Sequence, residues 1–451
     1  MNIEACRCCE GVVMTLLDLT PRVAVSDRLA TLPVVIIGAG PVGLAAAANL
    51  VERGIDFVIL EAGETVAASV RAWGHTRLFS PWKHLVDPAS RRLLEARGWE
   101  LPSPERAPTG AELVDLYVDP LAQLEEIASR IRTGVHVTAV SREGMDRTRS
   151  RGRDATPFVI RTRDTEGNVA EVAARAVIDA SGTYSSPNSL ASSGLELLGL
   201  GEIAGHVMPA LPDVLGRDRA HFAGKHVTVV GAGHSAANTL LGLVSLAREE
   251  EGTTVSWLIR NAQAVRVSSS PDDELVGRAH LGARVDRAVD RGDIDLVDGF
   301  EIIRAARAGA AVEMIGHRDG EVVTHTTDIV VNATGFRPNL DMLREVRLEL
   351  DDIVEAPKRL APLIDPNVHS CGTVEPHGFG ELTHPERGFF IVGMKSYGRA
   401  PTFLLTTGYE QVRSVTAWLA GDMAAATQVE LVLPATGVCS TDLGSAGGCC
   451  S

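Results

Sequence analysis

The sequence predicts an α/β fold with two parallel sheets, because one local pattern occurs twice along the chain. In each copy an apolar strand leads into a glycine-rich turn and a helix rich in small residues, and a second apolar strand then ends in a charged residue. This order is typical of a strand–helix–strand unit whose strands are parallel. The copies begin at Pro33 and His226. We therefore expect two such domains within one chain.

Composition limits the possible functions. The 451 residues, 45% of them hydrophobic, are sufficient for two or three domains. The formal net charge of −15 and the lack of a Lys/Arg block argue against nucleic-acid or membrane partners, because phosphate groups require a basic surface. The apolar run at residues 12–17 is too short for a membrane span and lacks the flanks of a signal peptide. We expect a cytoplasmic protein.

The first glycine-rich turn reads Gly38-Ala39-Gly40-Pro41-Val42-Gly43, which is a G-x-G-x-x-G pattern. Gly38 permits the tight turn, Gly40 allows a pyrophosphate to approach the backbone, and Gly43 allows close packing of helix on strand. The helix N-terminus favours the negative charge of the phosphates. The return strand ends at Glu61, whose carboxylate can accept a hydrogen bond from a ribose hydroxyl. The predicted dinucleotide contacts are Gly38, Gly40, Pro41, Gly43 and Glu61.

The second turn reads Gly231-Ala232-Gly233-His234-Ser235-Ala236, with alanine in place of the third glycine. Its return strand ends at Arg260, where the first copy has its acid. A guanidinium suits a 2′-phosphate and offers nothing special to a bare 2′-hydroxyl, so we predict NADPH at this site. The alternative is a surface arginine with no ligand. The predicted contacts are Gly231, Gly233, His234, Ser235 and Arg260.

Two dinucleotide sites of opposite charge indicate a tightly held FAD at the first site and an exchangeable NADPH at the second. The segments at 177–183 and 329–338 flank the second unit, and each is a buried-type strand that ends in a small, glycine-containing turn. Such turns let the chain pass close to a cofactor, although either could be an ordinary strand end. Gly182, Thr334 and Gly335 are therefore candidate cofactor contacts.

The double glycine motif with the paired turns Ala180-Ser181-Gly182 and Ala333-Thr334-Gly335 resembles the flavin-containing monooxygenase and thioredoxin-reductase superfamily, over roughly residues 33 to 422. Several longer strings resemble the flavin monooxygenase-like proteins encoded beside bacterial arsenic-resistance genes. These strings lie at residues 78–82, 108–113, 369–374 and 393–403, and the cysteines at 439, 449 and 450 fit the same group.

This resemblance implies two Rossmann-like domains, with the NADPH domain (216–328) inserted in a discontinuous FAD domain (33–215 and 329–422), between tails at 1–32 and 423–451. It also implies a strand at 388–393 that leads to the flavin. The next helix, beginning at Pro401-Thr402, would point its N-terminus at the flavin and stabilise the anionic reduced form. The implied flavin-side contacts are Trp82, Val140, Met394 and Thr402, with Cys371, Trp82 and Thr402 as candidate catalytic residues.

The sequence also departs from the patterns that it resembles. Residues 216–328 contain no cysteine, which excludes the C-x-x-C route of thioredoxin reductases. The F-x-G-x-x-x-H signature of flavin-containing monooxygenases is only approximated at residues 222–226, which places Baeyer–Villiger or amine oxygenation in doubt. Met394 replaces the acid of the usual G-D flavin motif, so we expect a backbone contact to the ribityl chain there.

Cysteines cluster near both ends of the chain, with Cys6, Cys8 and Cys9 at one end and Cys439, Cys449 and Cys450 at the other. Nine residues separate Cys439 from Cys449, a flexible span of about 15 to 18 Å, so Cys439, Cys449 and Cys450 can converge on one atom. Trivalent arsenic takes three soft thiolates, and these three thiols are our predicted metalloid-capture site. The alternative is a tail with incidental cysteines. We predict no resident metal site, since the His369, Cys371, His377 and His384 spacings match no zinc pattern.

Together these features predict an NADPH-dependent FAD monooxygenase that uses O2, through a flavin hydroperoxide, to oxidise a small trivalent arsenical or related metalloid. Two alternatives stay open at this point. One is an NADPH-dependent reductase or oxidase that passes electrons to another acceptor. The other is a non-catalytic metalloid-binding or redox-sensing flavoprotein. The oligomeric state is not predicted.

Overall fold

A computed structural model describes residues 27–261, 276–365, 376–400 and 403–431. Its strands are β1 (Val34–Ile37), β2 (Phe57–Leu60), β3 (Ile131–Arg132), β4 (Val135–Arg142), β5 (Phe158–Asp164), β6 (Val169–Ala174), β7 (Ala176–Asp179), β8 (Val207–Met208), β9 (His226–Val230), β10 (Thr254–Leu258), β11 (Asp295–Val297), β12 (Glu301–Ala308), β13 (Ala311–Arg318), β14 (Glu321–Thr327), β15 (Ile329–Asn332) and β16 (Phe389–Ile391).

The helices are mostly short outside the two glycine-turn units. They are α1 (Asp27–Thr31), α2 (Pro41–Glu52), α3 (Ala68–Ala72), α4 (Pro88–Glu95), α5 (Gly110–Leu113), α6 (Asp119–Ala122), α7 (Glu125–Ala128), α8 (Leu200–Ile203), α9 (Arg219–Phe222), α10 (His234–Glu249), α11 (Val276–Asp290), α12 (Ala361–Ile364), α13 (Phe379–Leu382), α14 (Leu405–Leu419) and α15 (Met423–Thr427).

The first sheet is parallel and has the strand order β16-β7-β1-β2-β3. Successive residues of β1 face opposite sides of the sheet: Val34 and Ile36 pack in the core with α2 and α14, whereas Val35 and Ile37 pack against β4 and β5. The antiparallel sheet β4-β5-β6 therefore covers one face and helices cover the other. Burial of both faces explains the continuous apolar sequence of β1.

The second sheet repeats this architecture with the order β11-β10-β9-β15-β8, again parallel. Helices α10 and α11 pack on one face, and the antiparallel sheet β12-β13-β14 packs near the other. In open parallel sheets, ligands bind at the carboxyl ends of the strands. Both glycine-rich turns leave the carboxyl end of a central strand, β1 or β9.

The predicted two-unit α/β fold is confirmed, with differences at the boundaries of elements. Helix α10 begins at His234, directly after the second glycine-rich turn, and continues to Glu249. Helix α14 begins at Leu405 and not at the predicted Pro401, because Leu404 is in an extended conformation. Strand β16 ends at Ile391, and a 3₁₀ turn then covers Gly393–Tyr397.

The second sheet extends beyond the predicted 216–328 segment on both sides. Strand β8, which precedes that segment, and β15, which follows it, both pair within the second sheet. Leu190 and Ile203 also pack with Val230 and Leu258 of that domain. The chain therefore crosses between domains at residues 180–190 and 333–341, close to the two paired turns.

No helix in the described part of the chain is long and apolar enough to cross a membrane.

Candidate functional site

The three glycines of the first turn have different surroundings. Gly38 has φ +98°, and a Cβ built there would lie 2.7 Å from the carbonyl oxygen of Ala180. A Cβ on Gly43 would lie 2.0 Å from the carbonyl oxygen of Gly38, whereas a Cβ on Gly40 meets nothing within 4 Å. Gly38 and Gly43 are thus required by the chain itself. Gly40 faces open space at the N-cap of α2, where no side chain caps the helix.

Glu61 follows β2 and lies beside this turn. Its Oε2 accepts a hydrogen bond from the backbone N–H of Ala39 and its Oε1 accepts one from Gly63, both at 2.7 Å. An ionised carboxylate has about four acceptor positions, so capacity remains for a ribose hydroxyl. The two backbone bonds fix the carboxylate at the carboxyl edge of the sheet, which is where the sequence expects a ribose.

The second turn has the same construction. Gly231 has φ +125°, and its Cβ would lie 2.2 Å from the carbonyl oxygen of Ala333. Gly233 is the N-cap of α10, again without a side-chain cap, and a Cβ there meets nothing within 4 Å. Ser235 lies in the first turn of this helix. Arg260 lies two residues beyond β10, is exposed, and donates from Nη1 to the carbonyl oxygen of Ser192 at 3.1 Å.

Each glycine-rich turn therefore packs against one of the paired small-residue turns, Gly38 against Ala180 and Gly231 against Ala333. Gly182 has φ +68° and a Cβ there would meet nothing within 4 Å. Thr334 donates from Oγ1 to Asn332 Oδ1 at 2.7 Å, which shapes the second turn before Gly335 at φ +96°. The small residues thus serve close backbone packing as well as any contact with a cofactor.

The segment from Phe79 to Trp82 packs on both domains. The ring of Phe79 lies 5.1 Å from the ring of His234 at the start of α10, and Phe79 packs on the core of the second domain. Three residues later Trp82 is fully buried in the core of the first domain, and its indole Nε1 has no acceptor among the described residues. A buried donor without an acceptor costs about 1–3 kcal/mol. A bound group with an acceptor oxygen or nitrogen would remove that cost.

The turn after β16 is held by a polar network. Gly393 has φ +68°, and its backbone N–H donates to Gln411 Oε1 on α14 at 2.7 Å. Met394 lies half-buried in this turn, at the position of the acid in the usual G-D flavin motif. A cofactor contact at this position would therefore be made by the backbone. Val140 is fully buried on β4, in the core beneath Ile37 and Leu60. Its side chain is therefore enclosed by protein, and any cofactor contact there would be made by the backbone.

The sequence reasoning did not identify a buried ion pair at this edge of the sheet. Lys395 Nζ lies 2.7 Å from Asp179 Oδ2, and both side chains are 1% exposed or less. The same ammonium donates to Ser181 Oγ at 3.1 Å, and Asp179 Oδ1 accepts from the hydroxyl of Ser181 at 2.6 Å. Both residues stand in strings that the sequence singled out. Nothing in their spacing indicates that they meet.

Five candidate residues lie outside the residues that the structure describes: Cys371, Thr402, Cys439, Cys449 and Cys450. Two histidines considered with Cys371 are described. His377 lies 2.9 Å from Gln411 Nε2, and His384 Nδ1 accepts a hydrogen bond from the backbone N–H of Glu349 at 3.3 Å. Within the described ranges no group of three potential ligands is arranged for a metal ion.

The described residues fit both predicted cofactors. At each motif one glycine leaves space where a pyrophosphate would approach, and the adjacent helix N-terminus has no side-chain cap. Glu61 offers acceptors for a ribose at the first motif, and Arg260 offers donors for a phosphate at the second. The opposite charges of these two positions match FAD and NADPH respectively.

Comparison with known proteins supports this interpretation. Residues 35–370 match the family model described as pyridine nucleotide-disulphide oxidoreductase. Indole-3-pyruvate monooxygenase YUCCA1 of Oryza sativa subsp. japonica is 29% identical over 232 residues, which cover 50% of this chain and 47% of the rice protein. The match thus spans about half the length of this relative.

Solved structures show the same fold over nearly the whole length of the neighbours. A mutant flavin monooxygenase from Stenotrophomonas maltophilia is 25% identical, with a TM-score of 0.54, over 86% of this chain and 99% of its own. Bacillithiol disulfide reductase Bdr from Bacillus cereus is 19% identical, with a TM-score of 0.63 and the same coverage. The predicted fold and cofactors are confirmed. The chain belongs to the pyridine nucleotide-disulphide oxidoreductase family, with FAD and NADPH as its cofactors.

Proposed function

We propose that this protein is a cytoplasmic NADPH-dependent FAD monooxygenase that transfers one oxygen atom from O2 to a trivalent arsenical. In the balanced reaction, NADPH, a proton, O2 and the trivalent arsenical give NADP⁺, water and the pentavalent oxide. The arsenical donates its lone pair to the transferred oxygen and is oxidised by two electrons. NADPH supplies the two electrons that reduce the other oxygen atom to water.

The observation that carries the proposal is a contact between the first domain and the start of the second cofactor motif. Phe79, from the first domain, touches His234 at the start of the NADPH-motif helix. Residues 216–328 have no cysteine to relay electrons to a disulfide. Electrons that enter from NADPH would therefore pass to FAD and then to a small acceptor. The similarity to two proteins named as monooxygenases favours O2 as that acceptor.

Bound FAD would supply electron transfer and the activation of O2. The residues of this chain would bind, orient and exclude water. Gly40 and the N-terminus of α2 would hold the pyrophosphate, Glu61 the ribose, and Arg260 the 2′-phosphate of NADPH. The buried Trp82 and the apolar Phe79 would limit water between the motifs, and the Trp82 N–H would donate to the bound flavin.

The proposal also identifies the substrate as a trivalent arsenical. It is supported by the resemblance of the strings at 78–82 and 393–403 to proteins encoded beside arsenic-resistance genes, and by Cys439, Cys449 and Cys450. Three thiolates suit trivalent arsenic and would deliver it from the tail. Cys371 and Thr402 remain candidate catalytic residues on the flavin side.

The test is NADPH oxidation by the purified FAD-loaded protein, with and without arsenite, methylarsenite and antimonite. We expect stimulation by a trivalent compound, with one ¹⁸O atom from ¹⁸O2 in the pentavalent product. Substrate-independent NADPH consumption with stoichiometric peroxide would instead identify an oxidase. Flavin reduction only over many minutes would contradict an enzymatic role and favour a binding or sensing protein.

A further inference from the structure

A cavity of about 650 Å³ lies where the two crossings between the domains meet the chain that precedes α14. Its wall includes Ser186 after the first paired turn, Arg337 two residues after Gly335, and Arg399 shortly before α14. Pockets for small molecules typically enclose about 300–1,000 Å³. This cavity is therefore of a size that suits a small molecule, and it adjoins turns that pack on both glycine motifs.

The lining of the cavity has an excess of positive charge. Arg344 pairs with Asp341 at 2.9 Å and Arg399 pairs with Glu355 at 2.7 Å, so these two guanidinium groups are compensated. The side chain of Arg337 makes no hydrogen bond or ion pair within the described ranges, although it is half-buried. In a chain with a net charge of −15, this is a local site that attracts anions.

Arg337 is held on a rigid part of the chain. Its backbone N–H donates to the carbonyl oxygen of Ser186 at 3.0 Å, and the next residue, Pro338, is buried. The preceding Phe336 packs on Tyr184, with ring centroids 5.4 Å apart. The two domain crossings are thus joined beside the guanidinium. Rigid support of this kind reduces the entropy lost when a ligand is bound.

We infer that this cavity binds the anionic group of a small molecule, with Arg337 as its principal ligand. A guanidinium presents paired N–H donors that match the two oxygens of a carboxylate or oxyanion, and such charge-assisted pairs are strong. The bound anion would also accept hydrogen bonds from the half-buried guanidinium of Arg337. A half-buried charge without a partner is energetically costly.

The identification of this anion with the substrate or product rests on the proposed function. Oxidation of a trivalent arsenical yields a pentavalent oxyanion, and an organic substrate could instead carry a carboxylate. The shared chemistry is an anionic group with two accessible oxygens. Binding itself requires no turnover, so it can be measured whether or not oxygen transfer occurs.

The experiment titrates the FAD-loaded protein with sodium benzoate and, separately, with arsenate, at constant ionic strength, using calorimetry. We expect wild type to bind at least one of these probes, and Arg337→Gln to weaken that binding at least about tenfold, the effect of losing a charged hydrogen bond. Arg337→Lys should recover part of the affinity, because it keeps the charge but loses the planar pair of donors. Binding of benzoate alone would assign the site to a carboxylate, and arsenate alone to the product oxyanion.

The matched control is Arg344→Gln, which removes a compensated guanidinium from the same wall and should change affinity less than about threefold. The inference is overturned if neither probe binds wild type, or if Arg337→Gln binds as well as wild type. It is also overturned if Arg337→Gln loses FAD or its NADPH-dependent reduction, because Arg337 would then serve a cofactor. Absence of ¹⁸O transfer with intact probe binding would defeat the proposed function and leave this site standing.

Discussion

Individual glycines of the same motif have different roles. Gly43 is fixed by the fold, because its Cβ would lie 2.0 Å from a backbone oxygen, which cannot move without opening the turn. Gly40 has no such conflict, since nothing in the chain lies within 4 Å of its Cβ position. Empty space at the N-terminus of α2 leaves room for a phosphate group to approach the backbone. Substitution at Gly40 therefore separates binding from folding.

We predict that Gly40→Val yields a folded but colourless protein, with FAD affinity lowered at least about tenfold, because the branched side chain would occupy the pyrophosphate position. Flavin absorbance at equal protein concentration measures the occupancy. Gly201→Val is the control, since Gly201 in α8 also has no atom within 4 Å of its Cβ position. Full FAD occupancy in Gly40→Val would refute the assignment of the first motif.

Arg260 should decide the choice of nicotinamide cofactor. A charged hydrogen bond contributes about 1.5–3 kcal/mol, so Arg260→Ala should raise the KM for NADPH about tenfold to a hundredfold and leave that for NADH nearly unchanged. The control is Arg307→Ala, which removes an exposed arginine that also bonds one backbone carbonyl in this domain. Steady-state flavin reduction with both nucleotides provides the measurement. Equal effects on both would show that Arg260 does not contact the 2′-phosphate.

At the scale of elements, polar side chains fix how strands and turns meet at the edge of the first sheet. Lys395 connects the turn after β16 to Asp179 at the end of β7. On the far side of α2, Asp87 caps helix α4 and accepts hydrogen bonds from Ser90 and Asn49 inside the core. Both carboxylates are buried. The contribution of each carboxyl group to the free energy of unfolding therefore depends strongly on its hydrogen-bond and ion-pair partners.

Removing one member of the buried ion pair should be more harmful than removing both. Lys395→Met leaves the Asp179 carboxylate uncompensated, and we expect a loss of about 3–5 kcal/mol in unfolding free energy. The double variant with Asp179→Leu should recover most of that loss, since the apolar replacements can pack. Urea unfolding of the FAD-free wild type, of the two single variants and of the double variant measures the four free energies of this double-mutant cycle. Simple additivity of the two single changes would contradict direct coupling.

Burial raises the pKa of the Asp87 carboxyl from 3.8 to about 6, against the lowering effect of its hydrogen bonds from Ser90 and Asn49. The folded state then binds more protons than the unfolded state between pH 4 and 6, so this group's contribution to stability falls as pH rises through that range. Asp87→Asn removes the effect.

We predict that the stability of Asp87→Asn relative to wild type increases by about 2 kcal/mol between pH 4 and pH 7, because a shift of about two pKa units corresponds to about 1.36 kcal/mol per unit and part of it lies below pH 4. Denaturant titrations at several pH values measure this difference. Burial lowers the pKa of His384 to about 4, which gives the opposite slope. His384 is present in both proteins, so its contribution cancels. A pH-independent difference would show that the Asp87 pKa is not raised.

At the scale of the whole molecule, contacts between side chains and between backbones join two similar domains. The Phe79–His234 contact joins the FAD domain to the NADPH motif. Pro187 and Phe336, which lie in the two chain crossings, form a β-bridge. This bridge joins the crossings beside the cavity that Arg337 lines.

We predict that replacing Cys439, Cys449 and Cys450 together by serine abolishes metalloid-stimulated NADPH oxidation and leaves flavin reduction intact, because only soft ligands are removed. Single substitutions should already weaken stimulation, with little further loss in the triple variant, since three-thiolate capture is cooperative. Release of hydrogen peroxide should rise, because less of the NADPH oxidation is coupled to oxidation of the metalloid. The control replaces Cys6, Cys8 and Cys9. Unchanged stimulation in the first triple variant would exclude the tail, and Cys371→Ser would be the next test.

The sequence by itself determined both strand–glycine-turn–helix units, their parallel sheets and the cofactor pair. The positive φ angles of Gly38 and Gly231 and the contact of Gly43 with Gly38 arise within each short turn, so a local pattern predicts these glycines. The tertiary structure decided which distant residues meet: Lys395 with Asp179, and Phe79 with His234. It also placed β8 and β15 in the second sheet and left the guanidinium of Arg337 without a hydrogen-bond or ion-pair partner in the described part of the chain. Such contacts depend on how packed layers align side chains that are far apart in sequence, which no local pattern encodes.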